Sequence, residues 1–187
     1  MVMPVSSTRW TAERVRALPD DGKRYEVIDG ELFVTPAPSW EHQRGALAMA
    51  HRIRSYLADN PIGDLYIAPA DIEFRYDRMV EPDLFVVPMV DGRRPRTWDD
   101  VRRLLLAVEI LSPSTARSDR LVKRTLFQRE HVPEYWIVDV AARLIERWGP
   151  DDTRPEIIVG ELMWQPDRAA SPLTIDLDSY FKEVCLE

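Results

Sequence analysis

Cysteine is almost absent from this sequence, which contains Cys185 and no other. One cysteine cannot form an intramolecular disulfide framework or a zinc site built from several thiolates, and it fits the reducing cytosol. Long apolar runs are also missing, because no stretch approaches the roughly 20 residues that a membrane helix needs. The N-terminal residues lack the charged region and apolar core of a signal peptide. We therefore expect a cytoplasmic protein without membrane association.

Glycine is scarce, and acidic residues outnumber basic ones. Seven glycines stand against fifteen prolines, which indicates rigid connections rather than flexible linkers. The formal net charge of −7 argues against broad, nonspecific binding of nucleic acids. A local basic face stays open, since the chain has 25 lysines and arginines. Hydrophobic residues make up 45% of the 187 residues, which suffices for one domain with its own core.

The stretch from residue 104 to residue 139 has the pattern of a strand–helix–strand unit. Residues 104–111 form an apolar run that is interrupted by one carboxylate, Glu109. Such a run is typical of a strand that is buried on both faces. Residues 135–139 predict a second core strand. A buried carboxylate such as Glu109 is unfavourable unless it is paired, hydrogen-bonded or bound to a metal.

Residues 116–130 are predicted to form the helix of this unit, with Ser114 or Thr115 as its N-cap. Asp119 and Lys123 are four positions apart, so they lie on one face of this helix. If the helix packs back on the sheet, Lys123 can reach the carboxylate of the preceding strand. The ordinary alternative is an exposed ion pair between Lys123 and Asp119.

A β-hairpin is predicted near the N-terminus. Asp29 and Gly30 separate two strand-like runs, residues 24–28 and 31–35. An Asp-Gly pair between two such runs is the strongest short-range signal for a hairpin.

A long helix and a further strand follow the hairpin. Ser39 can cap a helix over residues 40–58. Residues 80–87 predict a strand that contains Asp83 just after a proline. The apolar stripe of the long helix, at helical spacing, is predicted to consist of Leu47, Ala50, Ile53 and Leu57.

The last third of the chain predicts antiparallel strands and a closing helix. Residues 143–148 and 156–164 have the pattern of two strands separated by a turn. A helix over residues 177–184 follows, with Asp176 or Asp178 as its cap. The sequence shows no internal repeat and no domain boundary.

Three acidic residues lie within or at the end of otherwise apolar strands: Asp83, Glu109 and Asp139. Neighbouring strands of one sheet can bring Asp83 and Glu109 together as ligands of a hard cation. Mg²⁺ takes one or two carboxylates together with waters and phosphate oxygens, and it lowers the pKa of a bound water. Lys123 can then position or deprotonate that water, or stabilise the developing charge.

Each of these residues also has a purely structural interpretation. Asp83 can be a turn residue, and an aspartate at a strand end, such as Asp139, more often closes a turn. Glu109 can pair with Lys123 or with an arginine in a buried ion pair without chemistry. His42 can face the cleft from the long helix, but a surface or hydrogen-bonded helix histidine is the commoner case.

Five motifs, in this order along the chain, resemble the Uma-two family of restriction-endonuclease-like proteins. That family belongs to the PD-(D/E)XK nuclease-like superfamily, and the resemblance runs from about residue 25 to the C-terminus. The motifs are YEVIDGEL at 25–32, EHQ at 41–43, EPDLFVV at 81–87, VEILSPST at 108–115 and VPEYWIVD at 132–139.

The resemblance implies an α/β (α+β) fold in which a mixed central β-sheet is flanked by helices. This restriction-endonuclease-like core would follow the N-terminal hairpin, in a single nuclease-like domain over residues 1–187. The implied activity is that of a Mg²⁺-dependent DNA endonuclease that hydrolyses phosphodiester bonds, with Mn²⁺ as an alternative metal.

The resemblance also implies roles for individual residues. Asp83 matches the aspartate of the PD pair, and Glu109 matches the acidic residue of the (D/E)XK motif, both as catalytic metal ligands. Glu26 resembles a further family carboxylate that binds metal directly or through water. Where the superfamily pattern has a lysine, two residues after Glu109, this chain has Leu111. The family shares this departure, and Lys123 on the following helix is then the substitute catalytic lysine.

Two other functions remain open at this point. One is a catalytically inactive nuclease-like fold that serves as a DNA- or protein-binding module. The other is a phosphoesterase that acts on small nucleotides. DNA is the expected partner of the nuclease, and the oligomeric state is left open, a homodimer included.

Overall fold

The computed structural model describes residues 9–90, 92–97, 101, 103–166 and 171–186. Within these residues the chain has a mixed α+β fold, as predicted, and its strands form three sheets. The helical elements are α1 (Ala12–Arg16), α2 (Trp40–Asp59), a π-helical segment (Ser118–Lys123), α3 (Arg124–Arg129) and α4 (Leu177–Cys185). None of the helices in these ranges is long and apolar enough to span a membrane.

The strands form a six-stranded, a four-stranded and a two-stranded sheet. They are β1 (Arg24–Ile28), β2 (Glu31–Thr35), β3 (Gly63–Ile67), β4 (Ile72–Arg75), β5 (Arg78–Val80), β6 (Leu84–Pro88), β7 (Leu106–Ile110), β8 (Glu134–Asp139), β9 (Leu144–Trp148), β10 (Glu156–Ile158), β11 (Glu161–Trp164) and β12 (Leu173–Asp176).

The six-stranded sheet has the order β10-β9-β8-β7-β6-β3. Strands β7 and β8 are parallel, and the other neighbours are antiparallel, so the predicted mixed central sheet is confirmed. The N-terminal hairpin is also confirmed, because β1 and β2 pair across Asp29 and Gly30. These two strands join β5 and β4 in the four-stranded sheet, which has the order β2-β1-β5-β4.

Apolar side chains cover both faces of the six-stranded sheet. Leu84 and Val108 belong to a cluster on the face that packs against α2 and α4. Phe85 and Ala107, at alternate positions, belong to a second cluster with α3 and the four-stranded sheet. Every residue of β6 and β7 is consequently buried, as the apolar run around Glu109 predicts.

The predicted caps of the two longer helices are confirmed. The Ser39 side chain accepts a hydrogen bond from the backbone N–H of His42 at the start of α2. The Asp176 side chain accepts from the N–H groups of Asp178 and Ser179 at the start of α4. These bonds satisfy N–H groups that have no partner within the helix.

The predicted apolar stripe of α2 is wrong at one position. Leu47 is 72% exposed, although Ile53 and Leu57 are buried as expected. The buried face begins instead with His42 and Gly45. An apolar pattern misses both of these residues, because neither is a large hydrophobic side chain.

Two predicted strands are each divided between sheets. The strand predicted over residues 80–87 consists of the end of β5 and most of β6, separated by the stretch from Glu81 to Asp83. Pro82 has no N–H to donate, so a continuous strand is disfavoured there. The strand predicted over residues 156–164 is likewise divided into β10 and β11, with Gly160 at a positive φ of 80° between them.

The predicted helix after Glu109 begins at residue 116, as expected, but continues as the π-helical segment from residue 118. The capping of this helix by Ser114 or Thr115 stays a prediction. Just before the helix, the hydroxyl oxygen of Ser112 accepts a hydrogen bond from the N–H of Thr115. The loop predicted before β7 falls partly outside the described residues.

Candidate active site

Asp83 directly precedes β6, and Glu109 lies in the adjacent strand β7. Leu84 of β6 stands opposite Val108 of the antiparallel β7, so Asp83 and Glu109 are the next residues along the two chains. The backbone N–H of Ile110 donates to Oδ2 of Asp83 over 2.9 Å. Both carboxylates are buried. The sheet therefore brings the two predicted ligands to one place.

Lys123 reaches this place from the π-helical segment. Its Nζ atom lies 2.8 Å from Oε1 of Glu109 and 3.0 Å from Oε1 of Glu26. The distance to Oδ1 of Asp119 is 3.9 Å. Lys123 is only 4% exposed, so the alternative of an exposed ion pair with Asp119 is wrong. π-Helical turns are frequent at functional sites, and this one directs both residues inward.

Asp83 has two further partners, Arg24 and His42. Arg24 Nη1 donates to Oδ1 over 2.9 Å, and His42 Nε2 lies 2.8 Å from Oδ2. No local sequence pattern marks Arg24, which stands at the start of the hairpin. His42 is a hydrogen-bonded helix histidine, which is the commoner case named above. Its partner, Asp83, is a predicted site residue.

The surroundings shift the pKa values of Asp83 and Glu109 in opposite directions. Burial alone would raise the pKa of Asp83, but the hydrogen bond and charge of His42, together with Arg24, lower it below its usual range. Burial raises the pKa of Glu109 well above its usual range, and the nearby Lys123 opposes this rise only in part.

The ammonium of Lys123 stays protonated in this cluster. Burial disfavours its charge, but the carboxylates of Glu109, Glu26 and Asp119 outweigh burial and raise the pKa of Lys123. An ammonium in this position donates hydrogen bonds and contributes positive charge.

Two more buried acids border the cluster. Burial, followed by the charges of Asp71 and Glu26, raises the pKa of Glu81 to about 7. The backbone N–H of Glu81 donates to Oε1 of Glu26 over 2.8 Å. Burial raises the pKa of Asp119 to about 6, although the nearby charge of Lys123 opposes this rise. Sequence reasoning missed Glu81, because its role depends on contacts with distant strands.

Asp139 lies outside this cluster and closes a turn. Its Oδ1 accepts from the N–H of Ala142, and its Oδ2 accepts from Arg120, both over 2.9 Å. The ordinary interpretation of this strand-end aspartate therefore holds.

A cavity of about 580 Å³ opens beside Asp83. Arg24, His42, Glu81 and Asp83 are among the residues that line it. A ligand in this cavity can consequently approach the carboxylate of Asp83.

The donor set of the cluster fits Mg²⁺. Within the part of the chain that the structure describes, no group of three or more His, Cys, Asp or Glu side chains is arranged to hold a metal. Mg²⁺ needs fewer, since it binds through one or two carboxylates and keeps several waters. Asp83 and Glu109 provide such oxygens on adjacent strands, although Arg24 and His42 already contact those of Asp83.

A family model described as "Putative restriction endonuclease", Uma2, matches residues 12–177. The chain belongs to the Uma2 family. The resemblance inferred from the five motifs is thereby confirmed. A comparison with curated protein sequences gives no match for this Uma2 member.

The fold of this Uma2 member is similar to that of a solved structure. The crystal structure of a "putative nuclease belonging to DUF820" from Anabaena variabilis superposes with a TM-score of 0.74. The two proteins are 18% identical, and the match covers 94% of this chain and 99% of the other. At this identity the likeness shows that the two chains share a nuclease-like fold.

The departure from the superfamily pattern has a clear structural setting. Leu111 packs against the apolar cluster of Phe85 and Ala107, and its N–H donates to the carbonyl oxygen of Val138. Lys123 brings an ammonium to Glu109 from a different backbone segment.

Proposed function

We propose that this protein is a Mg²⁺-dependent DNA endonuclease that hydrolyses phosphodiester bonds. The observation that supports this proposal is the convergence of Asp83, Glu109 and Lys123 at one end of two buried strands. Three charged residues that are far apart in the sequence meet there, and one of them, Asp83, lines a cavity, which is an arrangement expected of a phosphoryl-transfer site.

Asp83 and Glu109 would hold Mg²⁺, and Mn²⁺ would be accepted by the same oxygens. Glu26 would bind the ion directly or through water, because its carboxylate lies close to that of Glu109: both contact the ammonium of Lys123. When bound, the metal supplies charge neutralisation at the phosphodiester and a more acidic water.

Lys123 stabilises negative charge that develops on the phosphate. The carboxylates around it keep it protonated, so it does not accept a proton from the attacking water. Of the roles that the sequence left open, charge stabilisation is the one that this environment supports.

Arg24 and His42 position the carboxylate of Asp83. Each contacts a different oxygen, which fixes the orientation of the group in the buried site. Partners of this kind determine how well a carboxylate can bind a metal.

Free Cys185 supports a cytoplasmic location, where thiols stay reduced.

A second candidate is a DNA- or protein-binding module without catalysis. One observation favours it: Asp83, Glu109 and Glu26 already have partners in Arg24, His42 and Lys123. A network of ion pairs can be retained for structure alone.

Metal titration separates the two candidates. In a calorimetric titration with Mg²⁺ or Mn²⁺, the nuclease binds the metal, and Asp83→Asn and Glu109→Gln each weaken that binding. Cleavage of plasmid DNA by the wild type should require the same metal. A protein that neither binds these ions nor cleaves DNA would be the binding module.

A further inference from the structure

We infer that the cavity beside Asp83 binds one unpaired nucleobase of the DNA substrate, with Trp40 as its stacking surface. This inference rests on the proposed nuclease function and specifies its substrate class. The preferred DNA contains a nucleotide that is not stacked within a duplex, as in a single strand, a flap or a frayed end.

The cavity has the size of a small-molecule site. Its volume of about 580 Å³ lies within the roughly 300–1,000 Å³ that is typical of ligand pockets. Asp83, Arg24 and His42 are among the residues that line it, and the scissile phosphate would lie beside them. The remaining wall is formed largely by the first turns of α2 and by the loops after β2 and β3.

Three exposed apolar side chains line the cavity. Trp40 is 87% exposed, Leu47 is 72% exposed and Ile67 is 57% exposed. Exposed apolar side chains that lie scattered need no explanation, but a group of them around a cavity indicates a binding site. Leu47 also breaks the pattern expected of its helix, so the folded core does not account for it.

A nucleotide matches both the polar and the exposed apolar residues that line this cavity. Its phosphate carries the charge that the site of Asp83 and Lys123 is proposed to handle, and its base has a flat apolar face for Trp40. Gln43, exposed on the cavity wall, has an amide that can donate to and accept from a base edge. In a paired duplex the faces of a base are covered by its neighbours, so the base can reach Trp40 only when it is unpaired or extruded.

The experiment compares binding of paired and unpaired DNA by fluorescence anisotropy, with EDTA present so that no metal-dependent cleavage interferes. The probes are a fully paired hairpin duplex and the same duplex with a short single-stranded flap. The variants are Trp40→Ala, Trp40→Phe and, as a matched control, Tyr76→Ala. Tyr76 is an aromatic residue with 67% exposure that does not line the cavity.

Stacking of one base on an aromatic ring changes affinity by about 5- to 150-fold. We therefore expect Trp40→Ala to weaken binding of the flap DNA by at least fivefold more than binding of the paired duplex. Trp40→Phe should restore most of the loss, and Tyr76→Ala should bind both probes as the wild type does. Equal changes on both probes, or no change, would overturn the inference. If Trp40 instead binds a protein partner, Trp40→Ala should change the affinity for neither probe.

The outcome is distinguishable from failure of the nuclease proposal. If wild type and Trp40→Ala cleave flap and paired DNA equally well with Mg²⁺, the base site is refuted and the nuclease stands. If no DNA is cleaved but the Trp40-dependent preference for flap DNA is present, the base site stands and the nuclease is refuted.

Discussion

The Nζ atom of Lys123 lies 2.8 Å from Oε1 of Glu109, although the two residues are 14 positions apart. The pair is buried, and Glu26 and Asp119 complete the set of carboxylates around the ammonium. Because three acids surround one cation, loss of any of these charges should change the stability of the fold.

Removing the charge of Lys123 should destabilise the fold. Breaking a buried ion pair by deleting one partner costs about 3–5 kcal/mol, because the other charge is left uncompensated. We expect Lys123→Met to lower the free energy of urea unfolding by this amount at pH 7. Adding Glu26→Gln should recover part of the loss.

The control for this prediction is Lys182→Met, an exposed position of α4. It should change the unfolding free energy by less than about 0.5 kcal/mol. Strictly additive effects of Lys123→Met and Glu26→Gln would show that the two side chains do not interact.

Lys123 should also determine the rate of cleavage. Removal of one positioned charge-stabilising group typically slows a reaction by about 10²–10³-fold. We expect this loss for Lys123→Met in single-turnover cleavage at saturating Mg²⁺, measured on the folded fraction, with little change in metal affinity. A rate within a factor of about three of wild type, roughly 0.6 kcal/mol, would exclude the catalytic role.

Asp83 should stabilise the fold at neutral pH. Its pKa is lower in the folded protein than in the unfolded chain, so its contribution is present above about pH 4 and is lost as the pH falls through the lower, folded value. We expect Asp83→Asn to be less stable than wild type by about 1.5–3 kcal/mol at pH 7, and by less at pH 3. Repulsion between Asp83 and Glu109 predicts the reverse, and an equally or more stable Asn variant at pH 7 would support repulsion.

Glu81, unlike Asp83, should make the fold less stable as the pH rises. Its pKa is raised from 4.5 to about 7, so the neutral acid is favoured in the fold. Its contribution is fully present below about pH 4.5 and is lost as the pH rises to about 7. Glu81→Gln should therefore be more stable than wild type by about 1–3 kcal/mol at pH 8, with little difference at pH 4.5.

The matched control is Glu31→Gln, at an exposed position of the hairpin. Because Glu31 is exposed, this variant should differ from wild type by less than about 0.5 kcal/mol at both pH values. A Glu81→Gln variant that behaves like this control in chemical denaturation at both pH values would argue against the raised pKa.

Local patterns predicted much of the fold. The Asp-Gly turn determined the bounds of β1 and β2, and the apolar run ending at Asp139 gave β8. Both depend on neighbouring residues and on the alternation of side chains along a strand. The division of the strand at Pro82 could be anticipated from the missing N–H, but which sheet each half joins depends on distant pairing.

The candidate site was predictable only in part. Asp83, Glu109 and Lys123 came from the strand and helix patterns and from the family resemblance, Glu26 came from the resemblance alone, and the structure places the four together. Arg24 is a strand residue in a hairpin, and nothing local indicates that its guanidinium crosses to Asp83. Contacts between sheets of this kind depend on the tertiary fold, so a single sequence does not specify them.

Single-turnover cleavage of a labelled DNA duplex with a flap, with and without Mg²⁺, tests the central claim most directly. The comparison is between wild type, Asp83→Asn and Asp139→Asn. Asp139 is a close match for Asp83, since it too accepts from an arginine and a backbone N–H, but it lies outside the cluster. We predict Mg²⁺-dependent cleavage by wild type and Asp139→Asn, and a loss of at least about 10²-fold in Asp83→Asn. Equal cleavage by the folded fractions of all three proteins, or cleavage that persists in EDTA, would contradict the account.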